Sequence, residues 1–158
     1  MAEEIKMKTL VVYYSRTGNT KKIGDEIAGD LKCDIDEITE KKKRNGMLGF
    51  VMSGREAVRK TTPKINPAKF KPEEYDLVII GTPNWATTIA SPVRTYITMN
   101  KFKDVAFFCT QGSGKDQGLF KKMEEVAGKK PVATLRLSTK QVQSGDYDID
   151  KFLESIRT

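Results

Sequence analysis

The chain contains no histidine and only two cysteines among its 158 residues. Without histidine it lacks the commonest metal ligand, the usual general base near neutral pH and any catalytic triad built on an imidazole. Cys33 and Cys109 lie far apart in the sequence; we interpret them as small buried thiols, and two cysteines cannot supply the four thiolates that an iron–sulfur cluster usually needs. We therefore expect no metal site and no catalytic residue, so any redox chemistry has to be carried by an organic cofactor.

Long apolar runs are also absent, and we expect no secretory leader. The start of the chain, Met1-Ala2-Glu3-Glu4, is acidic and lacks the basic and apolar regions of a signal peptide. The apolar run from Met47 to Met52 is far too short to span a bilayer. We expect a cytoplasmic protein with no membrane insertion, and the length and the 31% of charged residues fit one globular domain over residues 1–158.

Charge of one sign is in excess. The net charge is +7, and the densest basic run is Lys41-Lys42-Lys43-Arg44. A basic balance is typical of proteins that meet nucleic acid, an anionic membrane surface or an acidic protein. The aromatic-studded strands and paired Cys/His fingers of nucleic-acid binders are missing, so we expect no nucleic-acid partner.

Apolar segments with strand character alternate with amphipathic helical segments along the chain. Three of the five predicted strands are near-continuous β-branched and aromatic runs, the pattern of strands covered on both faces. Strands that alternate with helices form a parallel sheet, so we predict an α/β fold with a doubly wound five-stranded parallel sheet. The predicted strands are Lys8–Tyr14, Cys33–Ile38 (a half-exposed edge), Tyr75–Gly81, Val105–Thr110 and Val132–Leu137; the predicted helices are Thr20–Leu31, a helix with Ser91 at its N-cap and Pro92 at its first position, Leu119–Val126 and Ile149–Ile156.

The most informative segment is Ser15-Arg16-Thr17-Gly18-Asn19-Thr20, here called the polar loop, which runs from the first strand directly into a helix. Its hydroxyl and amide side chains, its glycine and the free N–H groups of a helix N-terminus converge on one point, where the helix dipole favours negative charge. Ser, Thr and Asn are also ordinary helix caps, but capping accounts for one such residue rather than for a run of them. The polar loop therefore predicts a phosphate site.

Two other phosphate motifs are not satisfied. A Walker A motif would need Ser or Thr after Gly114-Lys115, where the chain has Asp116, and a glycine where it has Cys109. A dinucleotide fingerprint could begin at Gly112 and Gly114, but the third glycine, Gly118, comes one residue late. An NTPase and a dinucleotide site of the usual kind are therefore not expected.

Three segments carry a resemblance to a known family. Tyr13 to Thr20 (YYSRTGNT) resembles the S/T-x-T-G-N-T phosphate loop of flavodoxins. Tyr75 to Trp85 (YDLVIIGTPNW) resembles their third strand and the loop whose aromatic stacks on the flavin, and Val105 to Lys115 (VAFFCTQGSGK) is similar to their fourth strand and third flavin-contacting loop. The resemblance covers essentially the whole chain and implies the strand order 2-1-3-4-5 and FMN as the cofactor.

The resemblance also implies a role for each loop. The FMN phosphate would bind the polar loop, where Arg16 would either add charge or point to solvent. The ribityl chain and ring would lie against the second loop, with Trp85 on the isoalloxazine, and the third loop would offer backbone donors to the pyrimidine edge. The implied cofactor-binding residues are Ser15, Arg16, Thr17, Gly18, Asn19 and Thr20; Thr82, Pro83, Asn84, Trp85 and Ala86; and Thr110, Gln111, Gly112 and Ser113.

Two features depart from the flavodoxin pattern. Small residues and Lys115 stand where many flavodoxins carry a second stacking aromatic, so one flavin face is expected to be open or to be covered by Met47, Phe50 or a second subunit. Ala86 follows Trp85 where flavodoxins often have glycine or asparagine, and alanine tolerates a positive φ poorly. Strong stabilisation of the neutral semiquinone is therefore not expected, and the oligomeric state stays open.

Three classes of function remain. The favoured hypothesis is an electron carrier that moves electrons between redox proteins and is not itself an enzyme; the basic surface would suit an acidic partner such as a ferredoxin or a reductase. The alternative is a small NAD(P)H-dependent FMN reductase or quinone reductase, an oxidoreductase whose open flavin face admits a substrate. A flavin-free interaction module that keeps only the fold is the third, and the intact polar loop and Trp85 argue against it.

Overall fold

The computed structural model describes residues 7–41, 64–85, 88–112 and 118–157. Its strands are β1 (Thr9–Tyr13), β2 (Asp34–Glu37), β3 (Leu77–Trp85), β4 (Thr88–Ile89), β5 (Asp104–Gln111) and β6 (Thr134–Ser138). Five of them pair in parallel in the order β2-β1-β3-β5-β6, and β4 forms an antiparallel hairpin with the end of β3. With β4 set aside, this confirms the predicted parallel sheet and its order, with the second strand at an edge.

Helices cover both faces of this sheet. The described helices are α1 (Asn19–Leu31), α2 (Ser91–Met99), α3 (Leu119–Ala127), α4 (Thr139–Ser144) and α5 (Asp150–Arg157), with a 3-10 turn at Pro72–Glu74. Neighbouring strand residues point to opposite faces, so Leu10 and Val12 pack with α2 and α3 while Val11 and Tyr13 pack with α1, α4 and α5. Both faces are therefore buried, which is why the central strands are apolar without alternation. No helix in the described ranges has the length and apolar character needed to cross a bilayer.

The third strand is longer than the sequence predicted. It continues past Gly81 to Trp85, since Thr82 and Pro83 stay in register with Cys109 and Thr110 of β5 and the last two residues pair with β4. The described part of the segment assigned to a loop is thus a strand end that pairs with β5 and β4. This extra pairing fixes the backbone from Thr82 to Trp85 against its neighbouring strands.

The start of α2 also differs from the prediction. Ser91 was expected at the N-cap, but Ala90 occupies that position and Ser91 and Pro92 lie in the first turn. The physical reason is that the N–H groups of Val93 and Arg94 donate to the carbonyl oxygen of Ala90, at 2.9 and 3.1 Å, so the helix ladder begins one residue earlier. Ser91 is consequently buried, with 1% of its surface exposed.

Helix α4 was missed by the sequence analysis. The Ser138 hydroxyl accepts the N–H of Gln141 at 3.0 Å, while the Gln141 side chain accepts the N–H of Ser138 at 2.9 Å. This capping box is visible in the sequence as Ser followed three residues later by Gln, so the motif was available as a signal. The helix is only six residues long, which is too short for a clear apolar period.

Candidate cofactor site

The polar loop lies where β1 ends and α1 begins. Gly18 is the N-cap of α1 and has a φ of 99°, a left-handed conformation that glycine adopts without a Cβ penalty. Its N–H donates to Ser15 Oγ at 3.1 Å, and Asn19 Nδ2 lies 3.5 Å from Thr17 Oγ1. An N-cap glycine has no side chain with which to cap the helix, so the first N–H groups of α1, which lack intrahelical acceptors, remain oriented toward the loop.

Exposure differs among the residues of the polar loop. Thr17 and Gly18 are exposed, while Ser15, Arg16 and Asn19 are half-buried. Both expectations for Arg16, an added charge at the site and a side chain in solvent, stay predictions. The loop presents hydroxyl, amide and guanidinium groups at the positive end of a helix.

Thr20 connects the polar loop to the end of β5. Its hydroxyl lies 2.8 Å from the Thr110 hydroxyl, and the two residues are 2% and 4% exposed. Two of the sequence-predicted site residues are thus in direct contact although they belong to different loops. The contact places the helix N-terminus beside the third loop.

The end of β3 forms the second part of the site. Thr82 is fully buried, its hydroxyl donates to the Pro83 carbonyl at 2.8 Å and it accepts the Ala90 N–H at 3.2 Å. The Thr82 side chain therefore supports the β3–β4 hairpin from inside. Pro83, Asn84 and Trp85 are half-buried at the rim.

Trp85 is held by an aromatic neighbour that the sequence analysis did not select. The ring of Tyr14 meets it edge-on, with centroids 5.4 Å apart and an interplanar angle of 88°. The Tyr14 hydroxyl in turn donates to Glu40 Oε1 at 2.6 Å. Tyr14 could have been found because it directly precedes the polar loop, whereas Glu40 follows β2 in a segment with no motif.

An amide pair joins the second and third loops. Asn84 Nδ2 donates to Gln111 Oε1 at 3.3 Å, and the Gln111 carbonyl accepts the Thr139 hydroxyl at 3.2 Å. Asn84 Oδ1 is buried and has no hydrogen-bond partner. Gly112, which follows Gln111 in the chain, is exposed, so the third loop presents backbone directly after the residue that binds Asn84.

Charge near the polar loop is set by the first turns of α1. Lys21 donates to Asp25 at 3.0 Å and lies 3.4 Å from the Tyr13 hydroxyl. The hydrogen bond to Asp25 raises the pKa of Lys21, and burial, followed by the charge of Glu37, raises the pKa of Tyr13. At neutral pH the lysine is a cation and the tyrosine is neutral.

The predicted residues therefore gather at one edge of the sheet, where β1, β3 and β5 end; we call this the carboxyl edge. In doubly wound sheets ligands bind at this edge, at the point where the strand order reverses, and here β1 and β3 are the central neighbours. Ala86 and Ser113 lie outside the described residues, as do Met47, Phe50 and Lys115.

A doubly wound sheet with an anion-binding helix start at its carboxyl edge is the framework of nucleotide- and flavin-binding proteins. The model of the flavodoxin family matches residues 8–141, and the chain belongs to this family. No curated protein matches the chain.

Solved structures share the fold. The chain is similar to a flavoprotein from Lactobacillus acidophilus NCFM solved in complex with FMN, with a TM-score of 0.71 and 23% identity over 90% of this chain and 100% of that one. It is also similar to a flavodoxin from the domain Archaea (TM-score 0.51, 18% identity, 87% and 90% covered) and to two-electron reduced Megasphaera elsdenii flavodoxin (TM-score 0.50, 16% identity, 82% and 85% covered).

Proposed function

We propose that this protein binds FMN at the carboxyl edge and transfers electrons between redox proteins. The observation that carries the proposal is the uncapped N-terminus of α1 within a polar loop, on the same edge as Trp85 and the Asn84–Gln111 amide pair. FMN would supply reversible one- and two-electron transfer there.

The polar loop suits the phosphate end of FMN. A Cβ added to Gly18 would meet no atom within 4 Å, so the space around this residue of the polar loop is open. Ser15, Thr17 and Asn19 would bind the phosphate through hydroxyl and amide groups, and Arg16 would add charge. The Thr20–Thr110 contact would hold the helix start in place.

The rim formed by β3 and β5 suits the ring end. Trp85 offers a flat apolar surface, which its edge-on contact with Tyr14 keeps upright. Asn84 Oδ1 is a buried acceptor without a partner, and a ring N–H is the kind of donor that would satisfy it. Pro83, Gln111 and Gly112 would complete the surroundings of the ribityl chain and ring.

The charge of the chain supports an acidic protein partner. Lys22 of α1 donates to the Val142 carbonyl at 2.8 Å, and Lys140 of α4 is exposed on the helix that follows β6 at the carboxyl edge. Together with the net charge of +7, these cations favour encounter with an acidic ferredoxin or reductase. Electron exchange of this kind should slow as ionic strength rises.

The first experiment identifies the cofactor. The purified protein is heated, and the released yellow compound is compared with FMN and FAD standards by chromatography and fluorescence. Release of stoichiometric FMN is expected. Protein that contains no flavin and does not bind added FMN would overturn the proposal and favour the flavin-free module.

The second experiment separates the carrier from the alternative reductase. FMN-loaded protein is mixed anaerobically with NADH or NADPH, and the flavin absorbance is followed; reduced protein is then mixed with an oxidised acidic redox protein at low and high salt. The carrier predicts slow bleaching by either nucleotide and fast, salt-sensitive exchange with the protein. Rapid bleaching by nucleotide alone would instead establish an NAD(P)H-dependent FMN or quinone reductase.

A further inference from the structure

Arg94 is a half-buried cation in the first turns of α2. Its Nε is buried and has no hydrogen-bond partner, and its Nη2 reaches the Thr88 hydroxyl only at 3.4 Å. Among the residues that the structure describes, no carboxylate lies within salt-bridge distance of it. Burial lowers the pKa of Arg94, because the charged form loses part of its hydration.

The position of Arg94 increases the cost of that charge. Side chains on a helix lean toward its N-terminus, and the contact with Thr88, which precedes α2, places the guanidinium at the start of the helix. The helix dipole is positive at this end, and the first turn of α2 contains no acidic residue. The guanidinium and the positive end of the helix dipole therefore lie together where water has only partial access, and a bound anion would stabilise both.

Ser91 supplies an independent observation at the same place. It is 1% exposed and its hydroxyl has no partner. Residues three apart lie on one face of a helix, so Ser91 and Arg94 are neighbours on α2. The Ser91 hydroxyl and the Arg94 Nε–H thus both lack partners on one face of the helix start, and the oxygen atoms of one anion would satisfy both.

The side chains would have to hold such a ligand, because few backbone donors are free here. Pro92 has no N–H, and those of Val93 and Arg94 donate to the Ala90 carbonyl. This distinguishes the place from the polar loop, where the first N–H groups of α1 lack acceptors. The expected ligand is therefore compact, and a fork of two oxygen atoms suits the guanidinium.

We propose that Arg94, together with Ser91 and Thr88, binds a small oxyanion, either a phosphate or a carboxylate, at the N-terminus of α2. Thr88 pairs with Trp85 across the β3–β4 hairpin. The proposed anion site therefore neighbours the strand that carries Trp85. None of these residues belongs to the polar loop, and the proposal does not depend on the identity of the cofactor.

The test follows the Nε–H resonance of Arg94 in protein saturated with FMN, so that the polar loop is not available to the titrant if the proposed function holds. Inorganic phosphate and acetate are titrated separately, with chloride at matched ionic strength as the comparison. A saturable shift with phosphate or acetate is expected, and which of them binds more tightly identifies the class of anion. Absence of saturation with both, or an equal shift with chloride, overturns the proposal.

Variants connect the signal to the site. With a protein resonance or thermal shift as readout, Arg94→Gln should weaken anion binding about tenfold or more, since hydrogen bonds to charged groups are the strong ones. Ser91→Ala should weaken it a few-fold, and Lys129→Gln, which removes an exposed cation after α3, should change it less than twofold. Equal affinity in Arg94→Gln and wild type overturns the proposal; should Arg94→Gln not fold, the wild-type titration and Ser91→Ala decide.

Failure of this site and failure of the proposed function are distinguishable. FMN binding is read from the flavin absorbance, whereas the anion is read from Arg94 itself. Protein that binds no FMN but shows the saturable Arg94 shift would overturn the proposed function and leave the anion site standing.

Discussion

The hydroxyl groups of Thr20 and Thr110 lie 2.8 Å apart in the interior, although 90 positions separate them in the chain. The contact joins the N-terminus of α1 to the end of β5. It therefore links the polar loop directly to the third loop of the candidate site. Its strength can be measured by removing either hydroxyl at nearly constant volume.

Thr20→Val should reduce the free energy of unfolding by about 1–3 kcal/mol, because the buried Thr110 hydroxyl loses its partner. The double variant Thr20→Val/Thr110→Val should lose less than the sum of the two single variants, because no hydroxyl is then left unpaired. Urea unfolding of all four proteins checks this, and FMN affinity should fall in the single variants. Strictly additive losses would show that the two hydroxyls are not coupled.

Gly18→Ala should weaken FMN binding, because alanine at a φ of 99° forces the backbone of the polar loop to shift. The strain is about 1–2 kcal/mol for a left-handed residue with a Cβ. Gly128→Ala is the matched control: its φ is 68° and its added Cβ also meets nothing within 4 Å, but it lies at the end of α3. Titration with FMN should show weaker binding for the first variant and wild-type affinity for the second.

Gly81→Ala should destabilise the protein without any change in the polar loop. An added Cβ at Gly81 would overlap the ring of Phe108, which is fully buried in β5. Overpacking of this kind typically costs about 1–3 kcal/mol. In Gly29→Ala, where the new Cβ meets nothing within 4 Å inside α1, stability should stay the same or rise by about 0.5–1 kcal/mol. Thermal unfolding of both variants measures the contrast.

Trp85 is the only tryptophan of the chain, so its near-ultraviolet circular dichroism and fluorescence report on this residue. Tyr14→Leu should weaken the Trp85 dichroism and reduce stability, because an edge-on aromatic pair contributes about 0.5–1.5 kcal/mol beyond its buried area. Tyr14→Phe keeps the ring and removes only the hydroxyl that donates to Glu40, so its Trp85 signal should resemble that of wild type. Equal signals in Tyr14→Leu and wild type would mean that Tyr14 does not orient Trp85.

Alkaline pH should destabilise the protein in part through Tyr147. Its hydroxyl donates to Glu26 Oε2 at 2.6 Å, and this hydrogen bond, with burial, raises the pKa of Tyr147 from 10.0 to about 12. A raised pKa in the folded state means that the stabilisation is complete below pH 10 and is lost as the pH rises through about 12. Urea unfolding across this window should show a shallower loss for Tyr147→Phe, and an unchanged slope would contradict the assignment.

Particular residues show why some features were predictable and others were not. The polar loop could be identified because its donors are consecutive in sequence and follow a buried strand. Ser91 was assigned to the wrong helix position because the helix start is set by Ala90, which directly follows the β3–β4 hairpin and whose carbonyl accepts the first helical hydrogen bonds. Helix α4 carried a readable capping box, but its few residues contain too little apolar pattern.

The sequence by itself determined the parallel sheet, the order in which helices and strands follow one another, and the chemistry of the polar loop, because each depends on neighbouring residues. Only the tertiary structure decided the contacts of Thr20 with Thr110, Tyr14 with Glu40 and Trp85, and Asn84 with Gln111. These depend on strand pairing across long stretches of chain, which no local pattern encodes. The same holds for Arg94. Only the structure shows that its Nε is buried and that no carboxylate in the described part of the chain lies within salt-bridge distance of it.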